Sequence, residues 1–222
     1  MDRPRRSEPL TRHRMRAHAA ATMTFPWQKR VSDDLKDRIP PGQVLTEKFP
    51  VLHFGRVPDY PDLARWDFRV FGEVETAFTL SWAEFRQLPV ETQTLDIHCV
   101  TRWSKFDTAW EGVPFSHIAE VAQPKPSARY VIFHAEGGFT ANVPLATAMD
   151  ARCVLAWHYG GQPLTAEHGY PLRAIVPGTY FWKSAKWLRG VEFSADDQLG
   201  FWERNGYSNS ADPWKEERYS DR

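Results

Sequence analysis

The segment RWDFRVFGEVE alternates in polarity: Trp66, Phe68 and Val70 fall on one side of an extended chain, Asp67 and Arg69 on the other. A period of two marks a strand with one buried face, and strand signals recur along the chain. TQTLDIHCV reads as a strand. ARYVIFHAEGGFTANVPL reads as strand, Gly-Gly turn, strand, and RCVLAWHYGGQPL repeats that logic. YPLRAIVPG and KWLRGVEF supply further strands. Helices are short. Ser81 and Glu84 form a capping-box pattern that opens one through Leu88, where Pro89 stops it. Pro114 opens another to Ala122, ended by QPKP. The fold class is α+β, with mainly mixed or antiparallel β-sheets and short peripheral helices.

At 222 residues the chain is long enough for one domain with tails. Residues 1–38 form a basic N-terminal stretch whose arginines are followed by no apolar run, which reads as a flexible tail rather than an export signal. Met15 and Met23 are alternative starts. Residues 39–195 make the body. Residues 196–222 carry Phe201, Trp202, Tyr207 and Trp214, more aromatic content than disordered segments hold, so this extension is expected to pack on the body. Lys plus Arg and Asp plus Glu number 28 each, an even balance that argues against nucleic acid as a partner. No run is long and apolar enough to span a bilayer. Two cysteines are too few for a disulfide scaffold, and a cytoplasmic protein is expected.

Three features could carry chemistry. Cys99 ends an apolar run and is followed by Thr101, Arg102, Ser104 and Lys105; cations beside a thiol favour the thiolate that a ligand or nucleophile requires. Cys153 lacks such a loop and reads as a core residue. The histidines, among them His53, His98, His134, His158 and His168, show no HExxH or CxxC spacing, so no zinc site is indicated. The stretch from Glu167 to Phe193 joins tight turns to Lys183, Ser184 and Lys186, a set of donors suited to a phosphate.

In order and spacing, FPVLHFGRVP, WDFRVFGEVE, DIHCVTRWS, WEGVPFSHI, GFTANVPL, HGYPLR, VPG and KWLRGVEF resemble the molybdopterin-binding domain of the sulfite oxidase family, in particular its compact bacterial branch. The resemblance runs from about Ile39 to Phe193 and implies that family's fold and its cofactor, molybdenum held by molybdopterin. It implies that Cys99 is the thiolate ligand to molybdenum, with Thr101 close by. It places His53, Phe54, Gly55 and Arg56 in the first cofactor loop, and His134 near the pterin. His168 and Arg173 flank GYPL, and Ser184, Ala185 and Lys186 form a backbone-plus-lysine cradle for the terminal phosphate. Arg102 and Lys105 are the candidates for steering substrate.

The implied reaction is a two-electron oxygen-atom transfer on a small sulfur or nitrogen oxo compound, an oxyanion or an S- or N-oxide. The family's haem domain and immunoglobulin-like domain have no counterpart here, which implies a separate electron-transfer partner and a monomer. A family tyrosine near the metal is replaced by Phe139. Two alternatives stand beside this reading: a metal-free thiol enzyme using Cys99 as nucleophile, and a non-catalytic cofactor-binding or interaction protein.

Overall fold

The structure, a computed structural model, describes residues 33–220. The basic arm, up to residue 32, lies outside the described residues. Residues Asp33–Arg38 form a 3-10 turn, and Arg38 reaches Asp96 at 2.6 Å and Asp107 at 2.7 Å, so this end of the stretch is anchored on the body.

Two sheets make the frame. One has five strands: β2 (Asp67–Gly72), β3 (Phe78–Ser81), β6 (Tyr130–Ala135), β7 (Thr140–Pro144) and β11 (Leu188–Ser194), in spatial order β3-β2-β11-β6-β7. The other has six: β1 (Val44–Leu45), β4 (Glu91–His98), β5 (Trp103–Pro114), β8 (Val154–Tyr159), β9 (Gln162–Pro163) and β10 (Arg173–Ile175). Here β5 is the hub, pairing with β1, β4 and β8. The chain passes repeatedly between the sheets, so each depends on the other for its pairing. β11 closes the circuit by running parallel to β2 and antiparallel to β6.

Periodicity explains the core. Phe68 and Val70 of β2, Val131 and Phe133 of β6, and Val191 and Phe193 of β11 are buried in one cluster with Phe85, Phe115, Ile118, Leu155 and Leu172. Each such side chain contributes about 1.5–3 kcal/mol on burial. The helices are short and peripheral. α1 (Trp82–Phe85) carries the full capping box, and turns prolong it to Leu88; α2 (Phe115–Ala122) starts directly after Pro114. Gly112 is required at the β5–β8 contact, because a Cβ there would sit 2.0 Å from the Leu155 carbonyl oxygen. Among the described residues no helix is long and apolar enough to cross a membrane.

Candidate active site

The hairpin joining β4 to β5 creates the key position. Cys99 donates its N–H to the Trp103 carbonyl at 2.8 Å, and Arg102 donates back to the Cys99 carbonyl at 3.0 Å. Arg102 takes a left-handed conformation, φ 72°, which turns the chain sharply. Two distant residues brace this turn. Gln43 Nε2 donates to the Cys99 carbonyl at 3.1 Å, and Arg218 donates to the Val100 carbonyl at 2.8 Å.

Cys99, 8% exposed, opens onto a cavity of about 720 Å³. Its Sγ lies 3.1 Å from the Thr101 hydroxyl. Burial raises the thiol pKa, opposed by the Thr101 hydrogen bond and the Arg218 charge. Among the described residues no histidine is hydrogen-bonded to this sulfur: His98 points away to Ser104, 2.8 Å from its Nδ1, and burial keeps it neutral with a pKa of about 4.

The other sequence-predicted residues divide into two groups. His53, Phe54, Gly55, Arg56, Thr101, Arg173, Ser184, Ala185 and Lys186 line the same cavity as Cys99. Arg102, Lys105, His134 and His168 do not. The Arg102 side chain is 63% exposed and faces Glu216 at 3.9 Å. Lys105 donates to the Glu47 carbonyl at 2.5 Å. His134 sits 2.8 Å from Glu192 on the five-stranded sheet, whereas Glu136 and Gly137, just beyond it, reach the cavity. His168 stands behind the wall, its ring stacked 4.0 Å from Phe49, itself a lining residue. Burial and the charges of Lys186 and Arg173 lower its pKa to about 4.

Charge in the wall is unbalanced. Arg173 is 1% exposed, with a guanidinium that donates only to the carbonyls of His168 (2.9 Å) and Ser184 (3.1 Å) while Nε has no partner. It has no carboxylate partner among the described residues, and burial drives its pKa down. A buried cation held only by carbonyl dipoles is costly unless an anion joins it. Lys186 is similar. Nζ donates to the carbonyls of Leu52 (2.8 Å) and Glu167 (2.6 Å), and burial, then the Arg173 charge, lower its pKa to about 7. Gly169 brings these two cations together: a Cβ there would lie 3.1 Å from Arg173 Cβ and 3.3 Å from Lys186 Cβ. Two carboxylates, Asp59 and Glu136, line the cavity, and Glu136 is ion-paired with Arg189 at 2.5 Å. In the predicted cradle, the N–H groups of Ser184 and Ala185 are taken by the carbonyls of Phe181 and Lys183 (3.2 and 3.1 Å), so the side chains carry the free charge.

The sequence reading missed an aromatic wall. Trp103, Phe181, Trp182, Trp187, Phe201, Trp202 and Tyr207 all line the cavity. For the last three the only signal was aromatic density in the C-terminal extension; nothing local pointed them at Cys99.

One soft thiol, a buried arginine and a half-buried lysine that donate only to carbonyls, and a large aromatic chamber define a protein that takes a bulky anionic cofactor. Among the described residues no three His, Cys, Asp or Glu side chains converge to hold a metal by themselves. A metal bound to Cys99 therefore has to bring its other ligands, as a metal carried by a sulfur-bearing, phosphate-bearing cofactor does. The residues present fit such a group.

Comparison with known proteins gives the same class. Residues 54–202 match the oxidoreductase molybdopterin binding domain. The chain is 47% identical over 192 residues to the uncharacterized oxidoreductase YuiH of Bacillus subtilis (strain 168), covering 86% of this chain and 97% of that one. It is 39% identical to mitochondrial sulfite oxidase of Rattus norvegicus over 71 residues, 31% of this chain and 13% of that protein. In fold it is similar to the sulfane dehydrogenase SoxCD from Paracoccus pantotrophus, with a TM-score of 0.57 at 21% identity over 65% of this chain and 41% of that one. The chain belongs to the molybdopterin-binding oxidoreductases, enzymes whose cofactor is the molybdenum cofactor.

Proposed function

We propose that this protein transfers an oxygen atom, with two electrons, to or from a small sulfur or nitrogen oxo compound, and that Cys99 is its ligand to molybdenum. The observation that carries the reading is the Cys99 thiol opening onto a chamber whose wall holds Arg173 and Lys186, which donate to carbonyls and have no carboxylate at ion-pair distance among the described residues. When bound, the cofactor supplies the two-electron couple and the oxygen-atom chemistry. The chain does the rest. The braced turn fixes Sγ, and the Thr101 hydroxyl orients it. Arg173 and Lys186 balance the negative charge of the dithiolene and phosphate groups. His53, whose ring meets Trp187 edge-on at 5.6 Å, and Phe54 line the same chamber. Electrons come from or go to a separate partner, and the working form is a cytoplasmic monomer.

The metal-free thiol enzyme fits less well. A nucleophilic cysteine needs a lowered pKa or an adjacent base, whereas the Cys99 thiol is raised by burial and has Thr101 as its side-chain partner. A coordinating metal, by contrast, deprotonates such a thiol outright. The test is elemental: the full chain from a molybdenum-replete host should hold molybdenum and pterin in equal amounts. It should also reduce or oxidise at least one of sulfite, nitrate, dimethyl sulfoxide and trimethylamine N-oxide with an artificial redox partner. A wild-type protein free of molybdenum overturns the reading; a loaded one that cycles with none of these leaves only the non-catalytic alternative.

A further inference from the structure

Two side chains from distant parts of the chain brace the Cys99 turn, and they are chemically unequal. Gln43 donates to the Cys99 carbonyl at 3.1 Å through a neutral amide. Arg218 donates to the Val100 carbonyl at 2.8 Å through a guanidinium, although the residue is only 5% exposed. The guanidinium lies over the ring of Tyr180, 4.9 Å from its centroid, and its Nε has no partner. A neutral amide can hold a turn carbonyl, as Gln43 does, at a smaller cost in lost hydration. A buried guanidinium with an idle donor is more than a brace requires. What it adds is charge.

That charge is not cancelled. Arg218 Nη2 lies 3.4 Å from Glu216 Oε1, and Arg102 Nη1 lies 3.9 Å from the same oxygen. The three groups converge over Gly42, where a Cβ would run into Glu216 Oε1 and stand 2.9 Å from Arg102 Nη1 and 3.3 Å from Arg218 Nη2. Two arginines thus share one carboxylate. The Arg102 side chain is 63% exposed and that of Glu216 44%, so water and salt screen both, whereas Arg218 is sealed. The surplus positive charge therefore sits on the buried side of the turn, against the residue that follows Cys99. Standard bond lengths put it within about 10 Å of Sγ.

Resting on the function proposed above, we infer that Arg218 raises the reduction potential of the metal bound at Cys99, by holding an unscreened positive charge behind the ligand turn. An electron added to the metal makes the site more negative, and a nearby cation in a low-dielectric interior stabilises that state. Arg218 does not line the chamber; it is a positioning residue that acts through the turn. It lies beyond residues 54–202, the part of the chain that matches the family. The inference therefore rests on this chain's own C-terminal segment.

Redox titration of the full-length, molybdenum-loaded protein, followed by the paramagnetic resonance of the half-reduced metal, reads the potential without any substrate. Arg218→Gln keeps a donor for the Val100 carbonyl and drops the charge. At the wild-type midpoint its ratio of reduced to oxidised metal should fall by about tenfold or more, the size Coulomb's law gives for a unit charge about 10 Å away at a protein's effective dielectric. Arg218→Lys keeps the charge and should stay near the wild-type midpoint. Glu216→Gln removes the shared carboxylate and should move the midpoint the opposite way, by less, because that side chain is exposed. A brace with no electrostatic role produces no such pattern of signs. An Arg218→Gln protein that titrates like wild type overturns the inference, as does an Arg218→Lys protein displaced as far as Arg218→Gln. Should Arg218→Gln fail to load, Glu216→Gln decides, and an unmoved midpoint there overturns the inference. A wild type without molybdenum overturns the underlying reading first, and is told apart by its metal content.

Discussion

Cys99 and Cys153 are alike in placement, each at the end of a strand of the six-stranded sheet and each buried, and both thiols are raised in pKa by that burial. Their surroundings differ. Cys153 sits in the main apolar core, its N–H given to the Asp150 carbonyl at 2.8 Å and its own carbonyl accepting from the Phe115 N–H at 2.9 Å, and its sulfur has no hydrogen bond among the described residues. Cys99 sits in a turn braced by Gln43 and Arg218, touches a hydroxyl, and opens onto a chamber with cations in its wall. The lesson is that burial does not separate a structural thiol from a ligand. What separates them is whether the space beyond the sulfur is filled by hydrocarbon or left for something charged.

Exchange of each sulfur for oxygen tests this contrast most severely. Cys99→Ser should drop bound molybdenum to background while the melting temperature of the cofactor-free chain changes little. Cys153→Ser should keep full molybdenum. A Cys99→Ser protein with wild-type metal content would erase the distinction.

Removing the cations comes next. Arg173→Met or Lys186→Met should each lower cofactor retention by about tenfold or more, since a hydrogen bond to a charged group is worth about 1.5–3 kcal/mol. Metal and pterin retained after extended dialysis give the reading, and unchanged retention in both variants would remove the electrostatic half of the comparison.

A pH series is gentler. In the free chain Lys186 has a pKa of about 7; an anion bound beside it raises that value, so binding takes up a proton. Affinity for the cofactor is therefore full below about pH 7 and falls as pH rises through it, by at most about tenfold per pH unit. Lys186→Arg should flatten the slope. A wild-type affinity that rises with pH would contradict the assignment of Lys186 as an anion contact.

The smallest effect belongs to the core. Cys153→Ser buries a hydroxyl with no partner and should destabilise the fold by about 1–3 kcal/mol in denaturant titration. A neutral result would mean that the site relaxes to satisfy the hydroxyl.

Much of the frame was legible in the chain because strand alternation, the Ser81–Glu84 cap and the Gly-Gly turns are local signals. The same signals put Cys99 near the C-terminal end of a strand, and β4 stops one residue before it, at His98. Side-chain direction in turns was not legible. Arg102 points outward because its left-handed φ rotates it away from the sulfur beside it, and no pattern in VTRWSK announces that. His134 was misplaced because the strand ends at Ala135, and it is the 3-10 turn beyond it, through Glu136 and Gly137, that reaches the chamber. The aromatic wall was invisible for another reason. Phe201, Trp202 and Tyr207 meet the Cys99 loop only through tertiary packing across more than a hundred residues of sequence.

The brace from Arg218 to the Val100 carbonyl spans 118 positions. On a ribosome, the loop bearing the sulfur emerges long before the residues that pin it and roof the chamber. Until that stretch has been translated and folded back, the cleft is unfinished on one side, open for a bulky guest to enter. The chamber is therefore complete only once the chain has folded back as far as Arg218.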